Sequence, residues 1–148
     1  MNILLPNSFV DEHPVTASIL FFNLSYEQYA AEGTKPIEKL RLLTEQYEYD
    51  EKVLIEYVKG LVNLSSEQDT IEGVKTIEKL RRISEQFEYD EEILIEYAKG
   101  LFNLANNQDI EKRIDSIDQL RLLSERYAHN EEIIVTYTES LEIISNSQ

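Results

Sequence analysis

A chain of 148 residues with a 42% hydrophobic fraction can bury a real core and is too apolar for wholesale disorder, while four Gly and three Pro leave little material for a turn-rich β protein. The 29 acidic residues outnumber the 14 basic ones, and the resulting formal charge of −15 repels phosphate backbones and anionic lipid while favouring a cationic partner. Without Cys there is no disulfide frame, thiolate zinc site or cysteine nucleophile.

The first ten residues, MNILLPNSFV, read as an N-terminal arm. They lack a basic region, and their apolar run is too short for a secretory signal. Their apolar side chains predict docking over the first helix. No stretch approaches the ~20 apolar residues that span a bilayer. The expectation is a soluble, cytoplasmic protein with neither a membrane nor a nucleic acid as partner.

The phrase PIEKLRLLTEQYEYDE, starting at residue 36, returns as TIEKLRRISEQFEYDE at 76 and SIDQLRLLSERYAHNE at 116, a period of 40 residues. Self-similarity on this scale marks a supersecondary unit that must stack on copies of itself to bury its apolar face. It predicts one helical-repeat domain over residues 11–148, with repeats near 11–50, 51–90 and 91–130 and a capping helix at 131–148.

Two helical patterns make up each repeat. The first is clearest from Glu91 to about Asn107, where Leu94, Tyr97, Ala98, Leu101 and Leu104 share a face. Asp50, Asp90 and Asn130 stand before its copies as N-caps, and acidic residues follow at the positive end of the helix dipole. The second runs from Ile110 to Tyr127 with Ile114, Ile117, Leu120, Leu123 and Tyr127 at helical spacing. Asp69 and Glu72 resemble a capping box, Pro36 suits a first turn, and Gly33 and Gly73 predict shortening or kinking of the first two copies. Three pairs, starting near His13, Glu51 and Glu91, and a last helix from Glu131 to Ser145 give about seven helices. The expected fold is all-α, a right-handed α-α superhelix or solenoid.

The chain resembles the tetratricopeptide repeat in its small residues at helix crossings: Val58 and Ala98 on the first helix, Thr76 and Ser116 on the second. Its unit is longer by ~6 residues than that family's, and Glu48, Glu88 and Ala128 stand where a closing Pro is usual. The phrase EILIEYAKGLFNLA is similar to the third helix of an armadillo repeat, with Asn63, Asn103 and more loosely Asn23 at the groove-lining Asn, although Lys59 and Lys99 replace the usual Trp. Either resemblance implies a concave peptide-binding surface.

The candidate groove residues are Asn23, Asn63 and Asn103, preceded by Phe22, Val62 and Phe102, with Lys59 and Lys99 one turn earlier and Ile55 and Ile95 one turn further back. A carboxamide suits the backbone of an extended peptide. The alternative is a structural use, in which the Asn series and the Gln at 28, 68, 108 and 148 form an inter-repeat ladder or satisfy helix ends. Arg41, Arg81 and Arg121, each four residues before a Glu, read as surface ion pairs, and Tyr57, Tyr97 and Tyr137 as packing.

Nothing points to catalysis. His13 and His129 belong to different repeats, the four Gly form no phosphate loop, Gly60 and Gly100 on the first helices are read as allowing close helix crossing, and no calcium or zinc signature occurs. The expected function is a non-catalytic scaffold, without cofactor or metal, that binds another protein or peptide in its groove. The alternative is an acidic inhibitor, antitoxin or immunity-type protein covering a basic surface.

Overall fold

One turn recurs through the chain at the predicted period. The amides of Asp50, Asp90 and Asn130 donate to the carbonyls of Tyr47, Phe87 and Tyr127, each at 2.9 Å. The same three residues then cap the helix that follows: Asp50 accepts from the Lys52 amide, Asp90 from Ile93 and Asn130 from Ile133. Each cap satisfies one of the amides that a helix start leaves without an internal partner.

The computed structural model describes residues 6–27, 30–47, 50–68, 70–108 and 110–146, which form eight helices and no strand. They are α1 (Asn7–Glu12), α2 (Pro14–Glu27), α3 (Ala30–Gln46), α4 (Glu51–Glu67), α5 (Thr70–Gln86), α6 (Glu91–Asn107), α7 (Ile110–Arg126) and α8 (Glu131–Asn146). None of them is long and apolar enough to cross a membrane. The contacts divide the chain into two compact units, 1–64 and 65–148.

In the first unit, α2 packs on α3 and α1 on α2. The eighth helix, α1, lies where the sequence predicts an arm. Pro6 precedes it without a side-chain cap, the His13 amide closes it on the Phe9 carbonyl, and Pro14 starts the next helix, where a missing N–H costs nothing. Asp11 anchors α1 to the end of α3 by accepting from Gln46 at 3.2 Å and from the Tyr47 hydroxyl at 3.3 Å. Ala17, Phe21, Leu40, Val53, Val58 and Leu61 are core residues of this unit. Gly60 permits its close packing: a Cβ there would sit 3.2 Å from Leu40 Cδ1 and 3.4 Å from Ile37 Cγ1.

In the second unit, α6 lies between α5 and α7, and α8 packs on both α6 and α7. Ile93, Ala98, Leu101, Leu120 and Ile133 are buried there. Two polar latches tie the end of a first helix to the following second helix. The Thr76 hydroxyl donates to Gln68 at 2.6 Å, and the Ser116 hydroxyl donates to Gln108 at 2.8 Å. Thr76, Ser116 and Gln108 are buried, so the latches hold polar groups that would otherwise be costly to desolvate.

Three expectations are corrected. Pro36 lies inside α3 rather than in its first turn, because α3 begins six residues before it. Gly33 and Gly73 shorten nothing, since α3, α5 and α7 are all 17 residues long. Ile114 falls outside the buried stripe at 55% exposure, as does Val74 in the preceding copy. Gly73 apart, the buried side chains of the described second helices α5 and α7 start at the latch residues Thr76 and Ser116, six residues after the helix begins. Asp69 lies outside the described residues.

Candidate groove face

The predicted groove residues fall into three groups. Ile55 and Val62 on α4 are only 7% exposed, so they belong to the core and present little surface to a ligand. Phe22, Asn63, Ile95, Phe102 and Asn103 are half-buried, and Asn23 is exposed. Lys59 and Lys99 each pair with a Glu three residues earlier, Lys59 with Glu56 at 3.6 Å and Lys99 with Glu96 at 3.1 Å.

In the second unit the structure gives this face a definite shape. A cleft of about 470 Å³ is walled by Phe102 and Asn106 of α6, Arg113 of α7, and Glu139, Glu142, Ile143 and Asn146 of α8. Of the sequence candidates, only Phe102 reaches it. The α8 residues escape periodic reading because Glu139, Glu142 and Ile143 replace Lys99, Phe102 and Asn103 at the equivalent positions. The signal was present as a change of charge, with acid standing where the repeat has a cation.

The cleft brings together apolar, amide and carboxylate groups. Phe102 and Ile143 provide apolar contact, Asn106 and Asn146 each carry donors and an acceptor, and the carboxylates of Glu139 and Glu142 accept without donating. Arg113 turns its guanidinium to the end of α6, with Nε donating to the Ala105 carbonyl at 2.8 Å and Nη2 to the Gln108 carbonyl at 3.0 Å. That use of Arg113 satisfies helix-end carbonyls.

Asn103 reaches toward the end of α4 within the same unit, its Nδ2 lying 3.5 Å from Ser65 Oγ, and Asn107 Nδ2 is 3.4 Å from the Ser66 carbonyl. These contacts support an inter-repeat role for Asn103. The Gln series also has a structural use, at Gln68 and Gln108, through the latches; Gln28 and Gln148 lie outside the described residues.

A second cleft of about 270 Å³ opens between α5, α6 and α7, lined by Arg81, Tyr97, Gln119, Arg126 and Tyr127 among others. Its polar groups are engaged with one another. Tyr97 donates to Gln119 at 3.1 Å, Tyr127 to the Glu88 carbonyl at 3.0 Å, and Arg126 pairs with Glu88 at 2.8 Å. Burial pushes the Tyr97 phenol up to about 12, with the nearby Arg81 opposing the shift. This cleft is a packing seam bounded by paired charges.

The Arg series is more heavily paired than its i,i+4 spacing implies. Arg41 bonds Glu38 as well as Glu45, Arg81 bonds Glu78 and Glu85, and Arg121 bonds Asp118 and Glu125. Hydrogen bonds to these carboxylates raise the affinity of all three guanidinium groups for their protons, and Arg81 in turn lowers the Glu78 carboxyl. Being exposed, such pairs add little stability. Among the described residues, no group of three or more His, Cys, Asp or Glu is placed to hold a metal ion. Comparison with known proteins returned no matching family model, curated protein or solved structure.

Proposed function

We propose that this chain is a non-catalytic interaction module of the tetratricopeptide-like kind, its 40-residue helix pairs wound as a right-handed superhelix, and that it holds an extended peptide segment against the first-helix face. The observation that carries this reading is the cleft beside Phe102, where apolar side chains adjoin carboxamides and two carboxylates. Phe102 and Ile143 take an apolar side chain, Asn106 and Asn146 bond the peptide backbone, and Glu139 with Glu142 select a basic side chain nearby.

The test is binding of fluorescent peptides that pair one large apolar residue with either a Lys/Arg or a Glu/Asp neighbour. Basic peptides bind the intact protein, and Phe102→Ala together with Glu142→Gln weakens them by at least about tenfold, a loss of ~1.4 kcal/mol or more. Equal binding of acidic and basic peptides, or indifference to both substitutions, refutes the groove.

The formal charge of −15 favours a second reading, an acidic protein that blocks a basic surface. Its mark is binding that survives Phe102→Ala but weakens steeply as salt rises from about 0.05 to 0.5 M.

A further inference from the structure

The last helix repeats the first-helix pattern at the same 40-residue offset, so α8 can be compared with α6 position by position. On α6, Leu94, Ala98, Leu101 and Ala105 are at most 2% exposed. That helix packs on α7, its partner in the repeat, and Leu94 lines a cleft together with Gln119, Leu122 and Leu123 of α7. The matching α8 residues, Ile134, Thr138, Leu141 and Ser145, are all exposed, Ile134 at 37% and Leu141 at 42%. Ile133 and Ser140, which match Ile93 and Gly100, are buried, so α8 is seated as a first helix should be. Its uncovered strip matches the strip that is buried on α6, a helix on which its own second helix α7 packs.

The strip is less polar than its composition suggests. Thr138 donates its hydroxyl to the Ile134 carbonyl at 2.8 Å, leaving its methyl as the side chain's apolar contribution. Val135, 52% exposed, extends the apolar surface alongside. The charge of α8 narrows the choice of occupant. The helix carries Glu131, Glu132, Glu139 and Glu142 and no Lys or Arg, so a second α8 laid against it would set acid against acid.

We infer that the exposed strip of α8, centred on Ile134 and Leu141, docks a basic amphipathic helix of a partner protein in the place that α7 takes on α6. The occupant carries apolar residues at the spacing of Ile117, Leu120 and Ser124, the buried face of α7, and flanks them with Lys or Arg facing Glu131 and Glu142. This surface shares Glu142 with the cleft beside Phe102, but its apolar centre, Ile134 and Leu141, lies outside the lining of that cleft.

The probe is a labelled peptide of this protein's own α5, residues 70–86, with Glu72, Glu78 and Glu85 replaced by Gln so that Lys75, Lys79, Arg81 and Arg82 set its charge. Its anisotropy is titrated against the full chain, and backbone amide shifts are mapped. Binding with shifts centred on residues 134–145, weakened at least about tenfold by Leu141→Lys, supports the proposal. Tighter binding by Ser145→Leu, which adds apolar surface to an exposed position, supports it independently of any loss of fold. No binding, shifts centred on Phe102 and Asn106, or equal binding of a peptide whose Lys and Arg are replaced by Glu overturns it. So does a concentration-dependent dimer in sedimentation that Leu141→Lys dissolves, because the strip is then covered by a second copy.

Discussion

Gly60 sits where α4 meets α3, and the space there limits what can replace it. An added methyl would lie 3.2 Å from the end of the fully buried Leu40, close enough that Leu40 must shift by a few tenths of an ångström. Against this, Ala is favoured over Gly in a helix interior by ~1 kcal/mol. Gly60→Ala therefore changes unfolding free energy by less than about 1 kcal/mol, whereas Gly60→Leu overpacks the contact and costs roughly 1–3 kcal/mol in urea denaturation. Tyr97 provides a second check. Its phenol is raised above the unfolded value, so the folded state prefers the protonated form. Stability linked to it is fully present below about pH 10 and falls as pH rises from there towards about 12. Tyr97→Phe flattens that alkaline fall, measured by denaturation at several pH values. That Gly60 allows a close helix crossing was legible from its place in the first-helix pattern, but spacing gives neither the partner, Leu40, nor its distance.

At the element scale the most exposed test is the cap. Asp90 accepts from the Ile93 amide at 3.3 Å, and its replacement by Ala leaves a helix-start amide to water. Asp90→Ala is expected to cost ~1 kcal/mol, and Asp90→Asn only a fraction of it, because Asn130 fills the same role in the next copy at 3.1 Å. These elements were legible in the sequence: α6 begins and ends at the residues the apolar pattern and cap define, and α7 ends one residue short of them. The pattern failed where its signal is shortest. α1 spans only six residues, fewer than two turns, too few for periodicity to show, and its anchor to α3 runs through Asp11, which stands 40 residues before Glu51 but lies within α1 rather than at the start of a first helix. The latches were missed for another reason. Gln108 and Ser116 are eight residues apart across a helix-helix turn, a separation that matches no spacing along one helix, although each series had its own visible period.

For the whole molecule, net charge is the governing quantity. The local pairs of Arg41, Arg81 and Arg121 neutralise only part of 29 acidic side chains, and the rest repel one another in the folded state. Raising NaCl from about 10 mM to 0.3 M, which shortens the screening length well below 10 Å, should raise the thermal midpoint by several degrees, or roughly 1 kcal/mol. A midpoint that stays level or falls would mean that local pairing already offsets the repulsion. The repeat was the most legible feature at this scale, while the cleft beside Phe102 was the least, because the α8 wall is made by residues that break the period.

The recurring turn has a consequence for how such a chain can change in length. The amides of Asp50, Asp90 and Asn130 close on the preceding helix through the same backbone bond at the same distance, so this turn has one geometry in all three copies. A gene segment encoding 40 residues, duplicated or deleted by unequal crossing-over at any of these junctions, keeps both reading frame and helix register. Descendants of this chain should therefore differ in size by whole multiples of 40 residues more often than by any other increment.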